Sequence, residues 1–529
     1  MTEKIETIAT HGRLYHLFDN IVKKKIKIWW TNHRIAFLLS CIVSFAVLFV
    51  FREEFQPVVI IVRQYFFLEL IVLAFAYGSY KMIVGKKWLF RFIGIGILAV
   101  MIGSTWLCYR EGIEVRDYMM LYSRYGSLNI VEPGKLPLTG HERIYPPGAI
   151  QVLAKGTSDN EVLDSPSFVR YNGQFRYTSA VEPAFFWGRL TDCIREIADV
   201  NGTTAITNFA HRVPVNFCVG ENFFLGKKTD TAVIRNFGIA RFFNYEPSDI
   251  RFMKNDSGEW VEVVSLIRWK GLLFPYPVFG GVQVIEQDKV DANPGEIALS
   301  VIERTFFGKG AWIAPEKIKD YPFLQGQSIV SKDVTKAVAS SMKFRFGILA
   351  PIPGRHLGDV RIPEQKVNAG SQPFITYFKD SVPEGLYHYF GLEPWKSDNH
   401  LLSTSVLVPA DGTNIVYVFH HKDRGEQFVG SSQTSSYVYD LNKSYTAQNL
   451  VAAGNRPFIR DCSDGVRRLF WISTLGTIKD KEAGTYAMHT PPEVFIADRF
   501  APVSVDSTQP ETWMPTLEAK LTPMWNQDK

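Results

Sequence analysis

Three long apolar stretches near the N-terminus restrict this chain more than any other feature of its sequence. They cover residues 35–51, 65–84 and 88–107, and each approaches or reaches the roughly 20 residues that a helix needs to cross a bilayer. A cleaved signal peptide is the alternative for the first stretch, but the mostly polar residues 1–34 precede it and no small-residue cleavage site follows. The sequence therefore predicts a three-helix transmembrane anchor over residues 35–107, preceded by a cytoplasmic segment at 1–34.

Lysine and arginine residues indicate the orientation of this anchor, because positively charged loops resist translocation. Basic residues concentrate before the first stretch and between the second and third: Lys23, Lys24, Lys25, Lys27, Arg34, Lys81, Lys86, Lys87 and Arg91. The loop between the first two stretches has only Arg52 and Arg63, beside Glu53 and Glu54. We therefore expect a bilayer-embedded protein with a cytoplasmic N-terminus. The region after residue 107 is then periplasmic, lumenal or extracellular.

Glu69 is the one acidic residue inside an apolar stretch. Because burying a carboxylate in a bilayer is costly, such a residue is a candidate for a role in a transport assembly. The alternative is a position near the end of the helix, from which the side chain reaches the interface. We favour the interface, since proton pathways generally contain several ionisable groups.

The region after residue 107 has the composition of a folded, strand-rich protein. Aromatic residues form 14% of the chain and recur in short alternating runs, which favours strands. The net charge of +5 is small for 529 residues, and the basic clusters adjoin the apolar stretches, which disfavours nucleic acid as a partner. Because helical patterns interrupt the strands, the sequence predicts a membrane-anchored α+β protein.

Proline-rich stretches suggest how this region divides. Residues 108–150 have the pattern of a juxtamembrane stalk, and a proline-punctuated stretch around residue 365 predicts a domain boundary. An α+β lobe would then cover residues 151–360 and a β-rich lobe residues 361–505, so we expect two or more lobes. Residues 506–529 are expected to form a frayed tail.

Local signals predict particular helices and hairpins. Helical periodicity covers residues 186–200, 294–306 and 333–344, and Ser331 or Asp333 is suited to cap the last of these helices. Turn signals at residues 172–173 and 256–258 predict two β-hairpins.

Cysteine positions leave the redox state of the soluble region open. Of five cysteines, Cys41 and Cys108 lie in or at the edge of the apolar stretches, which leaves Cys193, Cys218 and Cys462 in the soluble region. A Cys193–Cys218 disulfide is one reading for an oxidising compartment, and two cysteines buried as small apolar residues are the other. The spacing of the cysteines and histidines does not indicate zinc, and we expect neither a metal nor a cofactor.

The segment HHKDRGE holds the densest group of side chains suited to catalysis or metal binding: His420, His421, Asp423 and Glu426. Adjacent histidines on a strand point to opposite faces, so only one of them can join Asp423 without a local bend. A solvated hairpin tip is the alternative explanation, and we favour it over a catalytic site.

Residues 260–282 are rich in aromatic side chains around prolines and glycines. Trp269, Phe274, Tyr276 and Phe279 fit a core strand pair, because strands favour aromatic residues. The alternative is an exposed surface that contacts a partner.

The sequence lacks the common catalytic motifs, including GxSxG, HExxH, the phosphate-binding loop and the dinucleotide fingerprint. We therefore expect a non-enzymatic envelope protein that assembles with other envelope or membrane proteins, in a secretion, conjugation or surface complex, and that is able to form homo-oligomers. Two alternatives remain. One is a membrane-tethered hydrolase or metal-dependent enzyme that uses the HHKDRGE residues, and the other is a transport subunit that uses Glu69.

Overall fold

The computed structural model describes residues 39–527 with gaps. The undescribed positions inside that range are 41–42, 44–46, 48, 50, 86, 111–113, 156–159, 172, 204–210, 290–298, 300–301, 305, 353–354, 364–371, 396–400, 443–444, 446–449, 481–484 and 489–490. Four predictions lie wholly or mostly outside the described residues: the cytoplasmic segment, the first apolar stretch, the helix at 294–306 and the boundary near residue 365. Two compact units divide the chain, Met1–Val58 and Val59–Lys529.

The helices and strands are numbered in chain order. The helices are α1 (Arg52–Val84), α2 (Trp88–Arg110), α3 (Val115–Gly126), α4 (Pro147–Lys155), α5 (Phe186–Thr191), α6 (Thr229–Asn236), α7 (Ile239–Phe242), α8 (Lys332–Ser341), α9 (Ser431–Leu441) and α10 (Trp513–Gln527). The strands are β1 (Ile130–Val131), β2 (Leu138–Gly140), β3 (Glu161–Leu163), β4 (Ser167–Tyr171), β5 (Gln174–Pro183), β6 (Ile194–Val200), β7 (His211–Phe217), β8 (Tyr245–Lys254), β9 (Trp260–Lys270), β10 (Tyr276–Glu286), β11 (Ala311–Ile313), β12 (Val360–Arg361), β13 (Phe374–Lys379), β14 (Gly385–Pro394), β15 (Leu401–Leu402), β16 (Thr404–Pro409), β17 (Val416–His420), β18 (Phe428–Val429), β19 (Leu450–Asp461), β20 (Arg467–Asp480), β21 (Thr485–Met488), β22 (Val494–Ala497) and β23 (Pro502–Val505).

Among the described residues, α1 and residues Trp88–Trp106 of α2 are long and apolar enough to cross a membrane. α1 has 33 residues, and at a rise of about 1.5 Å per residue it exceeds the roughly 30 Å hydrocarbon core of a bilayer. These two helices suggest a membrane anchor, and the third predicted helix stays a prediction.

Most described strands belong to four sheets. The first has the order β1-β17-β16-β14-β13-β2, with β12 beside β14. The second has the order β3-β5-β6-β7 with β4 beside β5, the third β11-β10-β9-β8, and the fourth β19-β20-β22-β23 with β21 beside β20. The β1–β17 pair is parallel. Because β1 and β2 pair inside the first sheet, the segment predicted as a stalk contributes two strands to the folded region.

Several local predictions are confirmed. The β4–β5 and β8–β9 hairpins form at the predicted turns, where Gly173 and Gly258 adopt the positive φ values that glycine favours. α8 begins after Ser331, whose hydroxyl oxygen accepts a hydrogen bond of 3.3 Å from the backbone N–H of Val334. The strand-rich α+β class is therefore correct for the described residues.

The largest hydrophobic cluster joins distant parts of the chain. Its members include Tyr145, Tyr177, Phe458 and Phe470, together with the buried face of α10. Both predicted lobes, 151–360 and 361–505, contribute to this cluster. The division into lobes is therefore not confirmed.

Two sequence predictions are wrong. The helix predicted over residues 186–200 ends at Thr191, and residues 194–200 form β6. Ile194, Ile197 and Ala198 match a helical period, whereas Ile194, Ala198 and Val200 lie on one face of a strand, so the pattern fits both structures. The predicted frayed tail is α10, which buries Trp513, Leu517, Leu521 and Trp525. Their spacing of four residues places all four on one helix face.

Candidate functional site

The HHKDRGE segment follows β17, and the structure separates its side chains as strand alternation requires. His421 Nδ1 lies 2.7 Å from Glu426 Oε2, so the structure brings these two candidates together. His420 instead contacts Thr404 Oγ1 at 3.2 Å, and Asp423 pairs with Arg345 at 2.7 Å. The predicted four-residue group is thus split between different faces.

His421 connects Glu426 to a residue that the sequence did not indicate. Its Nε2 lies 2.8 Å from Ser405 Oγ, and the Tyr389 hydroxyl lies 2.7 Å from the same oxygen. Burial lowers the pKa of His421, although the carboxylate of Glu426 opposes this shift. The resulting chain from Glu426 through His421 to Ser405 has the connectivity of a catalytic triad.

Accessibility sets this hydrogen-bonded chain apart from a working triad. Tyr389, Ser405 and His421 are each 0% exposed. A nucleophile must reach the reacting atom of its substrate, and Ser405 lines neither of the two large clefts found in the described part of the chain. These hydrogen bonds pair polar groups that are buried inside the first sheet, where an unpaired polar group would cost free energy.

The more accessible candidate site is a cleft of about 530 Å³, which we call the basic cleft. Its wall includes residues before and in the first two turns of α4, the middle of β8, the start of α8, the start of β13 and the first half of β19. Its charged lining residues are Arg143, Arg251, Arg456, Lys332, Lys336, Glu221 and Asp249. Cationic groups therefore outnumber carboxyl groups by five to two.

Arg456 is one of the deeply placed cations of the basic cleft, and it is only 5% exposed. Its guanidinium donates to the carbonyl oxygens of Arg143, Ile144 and Gly454 and to the hydroxyl of Thr474. Burial and, to a smaller extent, the nearby Arg143 together lower its pKa to about 9. Among the described residues, no carboxylate accepts a hydrogen bond from Arg456, so its charge is solvated by neutral dipoles.

Arg143 is 9% exposed. It donates to the Tyr177 hydroxyl at 3.0 Å and to the Ile375 carbonyl, and it lies 4.8 Å from the centroid of the Phe168 ring. The neighbouring carboxylate of Glu142 is bonded to Arg460 instead. Arg143 is thus a second nearly buried cation whose recorded partners are neutral.

Arg251 differs from these two arginines, because its charge has a partner. Its Nη2 lies 3.0 Å from Asp249 Oδ2, and the same carboxylate accepts a hydrogen bond from the backbone N–H of Lys332. With this pair balanced, the remaining lining charges are four cations against Glu221. The side chains of Lys332 and Lys336 are exposed on one face of α8.

A separate group of buried carboxyl groups lies beside β5 and β9. Glu182 and Glu262 are 0% exposed and Asp164 is 4% exposed. Asn222 donates to Asp164 Oδ1 at 2.7 Å and, through its backbone N–H, to Glu182 Oε2 at 3.0 Å. Burial raises the pKa of all three acids. Within the described residues, no group of three or more His, Cys, Asp or Glu side chains is placed to hold a metal ion.

Cys193 and Cys218 form a disulfide that joins the start of β6 to the residue after β7. Cys462 is buried and reduced.

An exposed group of aromatic side chains, which we call the aromatic patch, lies close in sequence to the Cys193–Cys218 disulfide. It consists of the exposed Phe185, Phe186 and Trp187 together with the half-buried Phe224.

The aromatic patch exposes large apolar side chains that the sequence analysis did not single out. Phe185, Phe186 and Trp187 are 53%, 57% and 67% exposed. The Phe186 ring lies 5.1 Å from Phe224 and 5.3 Å from Trp187. In the sequence, the aromatic patch is visible as an uninterrupted Phe-Phe-Trp run at the start of a predicted helix.

The aromatic segment that the sequence did indicate forms the β9–β10 hairpin. Trp269 donates to Glu246 at 3.1 Å, and Phe279 packs against two core clusters. Phe274 and Tyr276 are half-buried. The large exposed apolar side chains of this hairpin are instead Leu272 and Leu273 in its loop, at 65% and 47%.

The hairpin loop also contacts α1. Arg63 donates to the carbonyl oxygens of Phe243 at 3.2 Å and Gly271 at 3.4 Å, and Gln64 accepts a bond of 2.9 Å from Arg116. Glu69 lies less than two helical turns further along α1 and is exposed.

Comparison with known proteins adds no relationship: the chain matches no protein-family model, no curated protein and no solved structure.

Proposed function

We propose that this is a non-enzymatic, membrane-anchored envelope protein whose region after residue 107 lies outside the cytoplasm and assembles with partner proteins, as one component of a secretion, conjugation or surface complex. The observation that carries this proposal is the aromatic patch. Contiguous exposed aromatic side chains are uncommon on a surface that faces only water, and they are typical of contact surfaces.

The aromatic patch has the properties of a preformed binding surface. Gly188 allows the Phe185 ring to pack closely, because a Cβ at Gly188 would lie 2.7 Å from that ring. Arg189 holds the turn by donating to Pro183 at 3.1 Å. A rigid surface loses little conformational entropy when it binds, which favours affinity.

The proposed location rests on three features. The basic residues flank the apolar stretches on the side predicted to be cytoplasmic. The Cys193–Cys218 disulfide suits an oxidising compartment. The contact of Arg63 with Gly271 joins α1 to the folded region, so both belong on the same side of the bilayer at this point. Glu69 would then lie near that interface.

Affinity purification from native membranes in mild detergent tests this proposal. We expect a defined set of companion proteins, or further copies of the chain, with the wild type, and their loss with a Phe186→Ser/Trp187→Ser variant. Trp395→Ser is the matched control, because Trp395 is 40% exposed at a different surface. Recovery of the same companions with all three proteins, or of the lone chain with each, would contradict the proposal.

A membrane-tethered hydrolase is the second candidate, and the Glu426–His421–Ser405 chain is the observation that favours it. A fluorophosphonate reagent distinguishes the two functions, because it labels an activated serine. Labelling of the wild type that disappears in both Ser405→Ala and His421→Ala would support the hydrolase. Unlabelled wild-type protein, with a labelled serine hydrolase as positive control, supports a structural role for the chain of hydrogen bonds.

A further inference from the structure

We propose that the basic cleft is a binding site for a small ligand that carries a phosphate group. Arg143 and Arg456 would meet the ligand from the buried side, and Lys332 and Lys336 from the exposed side. The cleft volume of about 530 Å³ lies within the range that small-molecule sites occupy.

The first argument is the unbalanced charge. Moving a guanidinium from water into the protein interior costs free energy unless an opposite charge compensates it. The hydrogen bonds of Arg143 and Arg456 are made to neutral oxygens. Once Arg251 is paired with Asp249, four cations face one carboxyl group. A multiply charged phosphate matches this excess better than a single carboxylate does.

The second argument is hydrogen-bonding capacity. The bonds recorded for Arg143 within the described residues involve only its two terminal nitrogens, and a guanidinium has five N–H donors in all. Arginine recognises phosphate through paired N–H donors. Arg143 therefore has donors that can bind a ligand while its bonds to Tyr177 and Ile375 persist.

The third argument is the direction of α4. Pro146, Pro147 and Gly148 line the cleft, so the N-terminus of this nine-residue helix faces it. Pro146 and Pro147 have no N–H, and the N–H of Ala149 is bonded to the carbonyl oxygen of Pro146, so the helix contributes mainly its dipole, which favours an anion at this end. The helix thus adds to an attraction that the arginines already provide.

The fourth argument is the close backbone approach that shapes the buried side. A Cβ at Gly454 would lie 2.5 Å from Pro146 and 3.0 Å from Arg456, and Gly454 has a φ of +65°. Only glycine brings the backbone this close without displacing the start of α4. The cleft therefore depends on a specific contact between residues that are more than 300 positions apart.

Binding of inorganic pyrophosphate to the full chain in detergent tests this inference by calorimetry. We expect saturable binding that weakens as salt concentration rises, because the attraction is electrostatic. The Lys332→Gln/Lys336→Gln variant removes only exposed charges and should fold normally. Its dissociation constant should rise roughly tenfold or more. Lys317→Gln/Lys319→Gln, which removes two exposed lysines elsewhere, should stay within about twofold of the wild type.

A second arm distinguishes a free phosphate compound from a lipid headgroup. The same three proteins are tested for binding to nanodiscs of phosphatidylglycerol and of phosphatidylcholine alone. Preference for phosphatidylglycerol that depends on Lys332 and Lys336 identifies the lipid headgroup as the ligand, and pyrophosphate binding with the same dependence identifies a soluble phosphate. The inference is overturned if neither probe binds, or if the Lys332/Lys336 pair makes no difference to either.

Discussion

Thr229 donates a hydrogen bond of 2.6 Å to Oε1 of Glu262, and both side chains are fully buried. Burial raises the pKa of Glu262 to about 8, while the bond from Thr229 opposes the shift. The second carboxyl oxygen of Glu262 has no hydrogen-bond partner among the described residues. Glu262 therefore remains protonated in the folded protein up to mildly alkaline pH.

This protonation predicts that the folded protein loses stability as the pH rises. The unfolded chain releases the proton near the ordinary pKa of 4.5, whereas the folded chain holds it until about pH 8. The stabilisation that comes from the protonated Glu262 is thus fully present below about pH 4.5 and is lost as the pH rises through about 8. The free energy of unfolding falls by several kcal/mol in total over this range. Thermal unfolding of the full chain in detergent should show a lower Tm at pH 9 than at pH 6.

Glu262→Gln should weaken this dependence, because glutamine keeps an acceptor for Thr229 and has no proton to lose. We expect the variant to unfold at a higher temperature than the wild type at pH 9, with a smaller difference at pH 6. Glu259→Gln, at an exposed position of the neighbouring turn, is the control. Parallel pH profiles of the wild type and Glu262→Gln would contradict this prediction.

The Cys193–Cys218 disulfide should stabilise the folded region by about 2–4 kcal/mol, because it closes a loop in the unfolded chain. Replacing both cysteines with serine should lower the Tm, and reductant should lower the wild-type Tm to a similar value. Cys462→Ser should leave the sensitivity to reductant unchanged. If the thiols were trapped by alkylation in cells and three of them proved free in the soluble region, the proposed location outside the cytoplasm would be wrong.

Trp525 on α10 should contribute strongly to stability. It is buried, donates to Asp498 at 2.8 Å, and supports Arg468 at 4.0 Å from its ring centroid. Trp525→Ala should lower the free energy of unfolding by about 3–5 kcal/mol, as expected for a buried aromatic side chain. Met524→Ala is the adjacent control, because Met524 is 39% exposed. Equal unfolding curves for the two variants would mean that α10 is not packed.

The loop of the β9–β10 hairpin should touch the bilayer. Leu272 and Leu273 are exposed and lie beside Gly271, which accepts a bond from Arg63 of the apolar helix α1. Apolar side chains at such a position insert into the interfacial region. A benzophenone-bearing amino acid in place of Leu272 should therefore crosslink to lipid in nanodiscs. The same group in place of the exposed Lys289 should not, and equal lipid labelling at both positions would count against this placement.

Sequence reasoning identified features that depend on neighbouring residues. The cap at Ser331, the hairpin turns at Gly173 and Gly258, and the apolar helices all follow from short-range signals. α10 was missed because Pro515 and Pro523 and its polar residues concealed the four-residue spacing of its buried side chains. β6 was missed because its apolar residues satisfy two periods at once.

The candidate sites depend on contacts between distant residues, and these were not predictable from one sequence. Arg456 binds the carbonyl oxygen of Arg143, which is 313 positions earlier. Ser405 reaches His421 only because β16 and β17 pair in a particular register. The Phe-Phe-Trp run of the aromatic patch was visible, but exposure could not be distinguished from burial without the fold. The Pro146–Pro147 pair at the start of α4 was a local hint of the basic cleft.

The packing of α10 has a consequence for the order of events during synthesis. Trp513 and Trp525 belong to the same cluster as Ile144 and Tyr145, which enter the growing chain hundreds of residues earlier. The parts of the fold that are synthesised first must therefore keep apolar surface uncovered until α10 has been made. Folding of this protein during synthesis should depend on a chaperone more than its native stability alone would suggest.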